Sequence, residues 1–505
     1  MLDLLFVVPS SRSGVYGRLT ELAAVETPVW AGLLAQHALD NGLSVEILDA
    51  EALGINVLDT SVEILSRNPR LAVFCIYGQQ PSASTQCMPG ALAVLHGIKD
   101  AVNHIPTIAL GTHPSALPAE TLVAGFDFVC EGEGPHTVMA LHAALVTGVK
   151  LDHCPAHLLP PGLWWKGKLG VQHSAPAPTI LGLDLMLTKQ AWQLLDMRRY
   201  RAHNWHLWSG KTSGGYASVQ TSLGCPFKCT FCCINAPFGK SGIRYWPAHA
   251  VVDQIETLYD RYGITNIKIP DEMFCLSPKH VTEIAEKLCL RFGQDALNIW
   301  SYARVDTVKD ERMLALMRRA GFRWLGLGIE SGSKLVRDGA EKGRFGNEQI
   351  FEAVRRVQAA GIHVGANYIF GLPDDTYESC DATYRLAEEL NTEYANFYCA
   401  MAYPGSQLHK EAREKGWRLP ESEGGPGWLG YSQHAYEALP LRTEALSAEE
   451  LLDIRDGAWV AYFSRPAYYE MIAKTFGPQA VAEVDRMVAL GQPPRKHRNN
   501  KEMKL

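Results

Sequence analysis

ASVQTSLGCPFKCTFCC, residues 217–233, carries the chemistry of this chain. Residues 217–223 predict a strand that runs straight into a loop, with Gly224 and Pro226 supplying the turn. Cys225, Cys229 and Cys232 then fall at i, i+4 and i+7, so a loop relaxing into one helical turn brings three thiols to one side. Three thiolates on a four-iron cube leave one iron without a protein ligand, and that open corner can be chelated by an amino and a carboxylate group. The competing reading is a zinc site. Structural zinc asks for four ligands in paired short spacings, and Cys233, next to Cys232, closes a tetrahedron poorly.

Working outward, the loop opens an α/β series. Strands are expected at 217–223, 266–270, 297–303, 324–329, 363–370 and 394–400. Between them Val251, Val252, Ile255, Leu258, Tyr259 and Tyr262 share one helical face, as do Val281, Ile284, Ala285 and Leu288. Six βα units make a partial barrel, smaller than a complete eight-unit one, and its active site belongs at the strand ends.

Ahead of it, residues 1–146 alternate short apolar runs (4–8, 44–48, 71–77, 107–110 and 126–129) with helical patterns at 28–41 and 91–102. That is the pattern of a doubly wound, Rossmann-like parallel sheet, whose ligands bind beyond the carboxyl ends of the strands. The opening MLDLLFVVPSSRSG reads as a buried first strand, because a basic leader and a small-residue cleavage site are missing. Residues 147–213, rich in Pro, Trp and His, read as a connector, with Trp192 and residues 194–197 packing on a neighbouring domain. Residues 214–415 form the second α/β domain. Residues 416–505 read as a cap with a loop over 422–440 and helices over 447–463 and 478–490.

Of 505 residues, 47% are hydrophobic and 20% charged, with a net charge of −6. That balance gives no reason to expect a nucleic-acid partner. No apolar run reaches the roughly 18 residues of a membrane span, and a cytoplasmic enzyme is the expectation. Of twelve cysteines only Cys225, Cys229, Cys232 and Cys233 cluster, which favours metal ligation there and buried apolar roles elsewhere. The basic tail, residues 493–505, reads as a frayed terminus.

CxxxCxxC with Phe231 just before the last cysteine, after the first strand of a six-unit series, resembles the defining loop of the radical S-adenosylmethionine (SAM) superfamily. The resemblance implies a [4Fe-4S] cluster on Cys225, Cys229 and Cys232, SAM on the fourth iron, and reductive cleavage to a 5′-deoxyadenosyl radical. It also implies SAM contacts at successive strand ends: Phe231 in the loop, Asp271 and Glu272 in IPDEMF, Ser301 and Arg304 in SYARVD, Glu330 and Ser331 in GLGIESGS, and Asn367 in ANYIFGLP. The segment AYPGS, residues 402–406, matches the end of the sixth strand.

A doubly wound sheet ahead of such a barrel resembles the cobalamin-binding subfamily, which includes anaerobic C-methyltransferases and the anaerobic magnesium-protoporphyrin monomethyl ester cyclase. The matching segments are YGQQPSAS (77–84), LGTHPSALP (110–118) and CEGEGP (130–135). They make Gln79, Ser82, Ser84, Gly111, Thr112, Gly132 and Glu133 the candidate cobalamin contacts. The DxHxxG motif that supplies a histidine to cobalt is absent, and His113 reads as loop architecture instead of an axial ligand.

The implied activity is methylation of an unactivated carbon of a small molecule or biosynthetic intermediate, with SAM used both as methyl source and as radical source. An electron donor such as flavodoxin or ferredoxin is implied too. The alternatives are radical cyclisation, oxidation or rearrangement without methyl transfer, and a cobalamin- or SAM-binding sensor without turnover. Cys75, Cys87 and Cys130 do not have the spacing of the methylthiotransferases. Trp205, Trp208, Trp428, Tyr431 and His434 either line a substrate pocket or pack domain junctions.

Overall fold

A computed structural model describes the chain except residues 79, 81, 100–103, 210–213, 344, 492–494 and 497–505. The first sheet starts from short, mostly apolar strands: β1 (Leu4–Val8), β2 (Val45–Asp49), β3 (Leu71–Cys75), β4 (Thr107–Leu110) and β5 (Phe128–Cys130). They run parallel in the order β2-β1-β3-β4-β5. The helix expected at 91–102 spans Ala83–Lys99, starting earlier and carrying Pro89 inside it; residues 100–102 of that expectation lie outside the described residues.

The connector contributes more structure than its composition suggested. Within it β6 (Leu163–Gly167) and β7 (Gly170–His173) form a hairpin that adds antiparallel to β5. The alternation Leu163, Trp164, Trp165 explains this: Leu163 and Trp165 join the buried core, while Trp164 donates to Glu131 at 2.7 Å. The hairpin covers what would otherwise be an open edge of the sheet.

The second sheet contains β8 (Gly215–Ser218), β11 (Ile264–Ile269), β12 (Asn298–Arg304), β13 (Phe322–Glu330), β14 (His363–Phe370) and β15 (Tyr394–Cys399), all parallel and in chain order. The strand expected at 217–223 is broken. Its second piece, β9 (Ser222–Leu223), leaves the sheet and pairs antiparallel with β10 (Arg244–Tyr245). The break has a polar cause: the backbone N–H and hydroxyl of Thr221 donate to Asp271 at 2.8 and 2.6 Å.

Among the described residues the C-terminal segment has three α-helices, Ala448–Phe463, Pro466–Phe476 and Pro478–Leu490, one more than expected. Prolines at their first positions start the last two, because that position needs no N–H donor. Phe476 stacks on Trp324 at 5.6 Å, and Trp208 of the connector donates to Glu483 at 2.9 Å. Trp205 sits among Trp300, Trp324 and Tyr394, sealing the barrel beneath its strand ends. Among the described residues no helix is long and apolar enough to cross a membrane.

Charged groups tie the layers together. Glu26, from the first domain, enters the barrel wall and accepts from Tyr216 (2.8 Å), Ser218 (2.6 Å) and Lys268 (3.0 Å). Glu421 accepts from His409 at 2.8 Å and Tyr431 at 2.6 Å, and its neighbour Arg413 reaches Glu120 of the first domain at 3.0 Å. Burial raises the Glu421 carboxyl, but the His409 and Tyr431 hydrogen bonds outweigh it and bring the pKa from 4.5 to about 2. Stability from this group is therefore complete above pH 4.5 and is lost as pH falls toward 2. Glu421→Gln is expected to remove about 3 kcal/mol at pH 7 and little at the acid end. Urea unfolding at both ends of that window checks it.

Candidate active site

The cysteine loop is held by backbone constraints. Gly224 has φ +87°, and a Cβ there would lie 2.4 Å from the Gly242 carbonyl oxygen, so only glycine fits the turn. Asn235 braces the next residue from both sides: its Oδ1 accepts from the Cys225 N–H at 3.2 Å and its Nδ2 donates to the Cys225 carbonyl at 3.0 Å. The N–H of Thr230 donates to the Ala340 carbonyl at 3.2 Å, and the Thr230 carbonyl accepts from the Leu408 N–H at 2.8 Å. Phe231 packs against two small apolar clusters, one containing Leu372 and Ala400 and one containing Leu408.

Cys225, Cys229 and Cys232 all line one cavity of about 240 Å³, and Cys233 joins them on its wall. Among the described residues no three His, Cys, Asp or Glu side chains converge on one metal ion. The thiols thus surround a space, the arrangement a multi-iron cluster needs when each iron takes one thiolate. Burial raises all three thiols, Cys225 to about 11, while Lys342 and Arg304 pull Cys229 back down. Thiols this buried become thiolates once a strongly positive metal group is beside them. The donor set therefore fits a cluster.

Glu272, Arg304, Glu330 and Asn367 line the same cavity. The Arg304 guanidinium lies 3.8 Å from the Phe227 ring centroid, pairs with Asp306 at 3.0 Å, and has Nη1 3.9 Å from the Cys229 sulfur. Glu330 sits at φ +68°, a strained conformation for a side-chain-bearing residue, and pairs with Lys342 at 2.5 Å. Burial raises Glu272 to about 7, with Lys342 the main opposing charge. Asn367 accepts from Asn396 at 2.9 Å.

Three other expected contacts point elsewhere. Asp271 is buried and turned to Thr221 and Ser222, so it props the segment leading into the cysteine loop. Ser301 alternates with Trp300 and Tyr302 on β12 and does not line the cavity; its buried hydroxyl has no hydrogen-bond partner among the described residues. The Ser331 hydroxyl is 3.1 Å from that of Thr383 and accepts from the Ser333 N–H at 3.1 Å, away from the cavity.

At the first domain a second cavity, about 160 Å³, lies beyond the ends of β1 and β3 and is lined by Thr112, Tyr77 and Gly78. Ser82 lines the cysteine cavity instead. Gly111, at φ +152°, is locked in place: a Cβ would meet the Ile76 carbonyl oxygen at 2.1 Å. Ser84 accepts from the His113 N–H at 2.9 Å and donates to Ile76, holding that turn. The N–H of Gly132 donates to Ser115 at 3.1 Å, and Glu133 pairs with Arg244 of β10 at 2.7 Å. Of this set Ser82 and Thr112 line these cavities, and Gln79 lies outside the described residues. His113 is on a short helix, Thr112–Ala116, where a loop was expected. It is fully buried against Trp428, with ring centroids 4.7 Å apart, and burial lowers its pKa to about 3.

A third cavity of about 210 Å³ lies inside the barrel. It shares Tyr302, Gly326, Asn367 and Tyr398 with the cysteine cavity, and Gln80 lines all three. Lys342, Tyr302, Tyr398, Gln433 and Asn235 are site residues that sequence reasoning passed over. Tyr302 was accessible to it, since Tyr302 and Arg304 share one strand face by alternation.

The "Radical SAM superfamily" description matches residues 219–387, and "B12 binding domain" matches residues 17–142. The chain is a radical SAM enzyme with a B12-binding domain. Such an enzyme takes a [4Fe-4S] cluster and SAM in the barrel, and its first domain implies cobalamin. An uncharacterized methyltransferase of Pyrococcus horikoshii is 26% identical over 473 residues, 92% of this chain and 93% of its own. The anaerobic magnesium-protoporphyrin IX monomethyl ester cyclase of Rubrivivax gelatinosus is 26% identical over 425 residues, 82% of this chain and 70% of its own. Among solved structures, the radical SAM methyltransferase TsrM from Kitasatospora setae superposes with a TM-score of 0.67 at 19% identity, covering 98% of this chain and 97% of that one. The cobalamin-dependent radical enzyme OxsB gives 0.68 at 16% identity, covering 98% and 74%. At these identities the two structures speak for the fold.

Proposed function

We propose that this radical SAM enzyme is a cobalamin-dependent methyltransferase acting on an unactivated carbon of a small molecule. The observation that carries the reading is the shared wall: the cysteine cavity, the barrel cavity and the first-domain cavity meet around Gln80. When bound, the cluster supplies the electron that splits SAM and cobalamin carries the methyl group.

The chain's own residues hold and orient. Cys225, Cys229 and Cys232 would hold the cluster, leaving the cavity side open. Arg304 offers the cavity a guanidinium for a carboxylate, held in place by Asp306 and the Phe227 ring. Glu330, fixed by Lys342, offers a carboxylate to hydroxyl or ammonium donors, and Glu272 sits on the same wall. Tyr302, Tyr398 and Tyr403 bound the cavity and exclude water, which protects a reactive carbon centre. Ser82 and Thr112 approach from the first domain. Electrons would come from a flavodoxin- or ferredoxin-type donor.

The test is turnover with SAM carrying a trideuterated methyl group. The expected product is heavier by about three mass units per transfer. Unlabelled product would remove methyl transfer and favour the second reading, cyclisation or oxidation, which the likeness to the cyclase supports.

A further inference from the structure

Resting on the reading above, we infer that the substrate is a planar conjugated acid. One or two fused rings would lie on a bare stretch of the inner barrel wall, and the carboxylate would be held by Lys268.

The bare stretch comes from strand register. Tyr302, Gly326, Gly365 and Tyr394 are successive partners across β12, β13, β14 and β15, at one level of the barrel. The Tyr302 ring leans over Gly326, where a Cβ would lie 2.8 Å from it, and Gly365 next to it leaves its backbone bare. A Cβ built on Gly365 meets nothing within 4 Å, so the space above it is open. The surrounding wall is aromatic, with Trp205 and Trp300 on one flank and Phe397 and Tyr398 on the other. Aromatic side chains around an open patch of backbone favour a planar guest, by stacking and edge contacts. A cavity near 150 Å³ seats a benzene ring, so about 210 Å³ suits one or two fused rings.

Charge sets the sign of the guest. Lys268 and Arg455 line this cavity, and among the described residues no Asp or Glu does. The Lys268 ammonium sits 5.0 Å from the Trp300 ring centroid and pairs with Glu26 on the far side. Lys268 and Trp300 are register partners, one level below the glycines, so a ring on the bare stretch reaches the ammonium with its edge. A cationic guest would find the same aromatic faces, but the wall turns Lys268 and Arg455 toward it while their paired carboxylates, Glu26 and Asp456, lie outside the lining. Tyr302, Gly326, Asn367 and Tyr398 also line the cysteine cavity, so the opposite edge of the ring faces the SAM site.

The experiment is calorimetric titration of the anaerobically reconstituted full chain with four probes: naphthoate, naphthamide, naphthylmethylammonium and the saturated decalin carboxylate. Naphthoate is expected to bind about ten-fold or more tighter than each of the others. Gly365→Leu, whose side chain would fill the floor, is expected to weaken naphthoate by about ten-fold or more, and Gly365→Ala by less. The paired change Glu26→Gln with Lys268→Gln, which leaves no lone buried charge, should bring naphthoate down to the amide. Equal binding of acid and amide, undiminished binding in a folded Gly365→Leu chain, or no binding of any probe would overturn the inference. Labelled methyl transfer to an unrelated compound without a naphthoate preference would sink this inference alone. Naphthoate binding without methyl transfer would sink the functional reading alone.

Discussion

Replacing any one of Cys225, Cys229 and Cys232 by alanine is expected to lower reductive SAM cleavage by about 1000-fold or more and to strip iron from the purified chain. Each thiol lines the same cavity, and the loop that carries them is fixed at Gly224, Asn235 and Thr230, so the remaining two cannot shift to replace a lost ligand. Cys233 is the internal control. It lines the cavity wall beside Cys232, and burial raises its thiol to about 12. Cys233→Ala should keep its iron. Iron and sulfide per chain, with 5′-deoxyadenosine release in the same anaerobic sample, decide the matter. Zinc in place of iron, or cleavage that survives the alanine changes, would end the cluster assignment.

The second large effect is expected at Asp271, through structure instead of contact. Its carboxylate accepts from the Thr221 N–H, the Thr221 hydroxyl and the Ser222 hydroxyl, and His280 Nε2 lies 3.1 Å from that same Thr221 hydroxyl. Asp271→Ala strands these donors in a buried site, at about 1–3 kcal/mol for each one left unmet. The segment they fix joins β8 to β9 and delivers Cys225, so the variant should melt early and hold less cluster. Asp271→Asn, which keeps an acceptor, should fall between. Thermal unfolding and iron content report it. A variant with normal melting and iron but weakened SAM binding would return Asp271 to the role that the superfamily resemblance first suggested.

Local spacing made the cysteine loop readable, because three thiols and a turn are encoded within eleven residues. The parallel strands of both sheets were readable too, since runs such as LLFVV and LAVFC bury nearly every side chain. Direction was harder. Ser301 reads as a site residue by motif, while alternation places it opposite Tyr302 and Arg304 on β12, so motif and strand face point different ways. Asp271 lies past the end of β11, where alternation no longer fixes a side chain, so its turn toward Thr221 had no local signal. Lys342 and Gln433 reach the cavity from outside the strands, and only the folded chain brings them there. The β6–β7 hairpin hid among prolines and tryptophans because its pairing partner, β5, is far back in the sequence.

Glu26 leaves the ribosome long before Tyr216, Ser218 and Lys268, the three groups that later surround its carboxylate. Until those residues are synthesised the acid stays hydrated, and the early half of the polypeptide cannot finish docking. Cutting the gene between the halves would separate the Glu26 carboxylate from the Lys268 ammonium. Nascent-chain maturation is therefore coupled across 190 to 242 residues of chain.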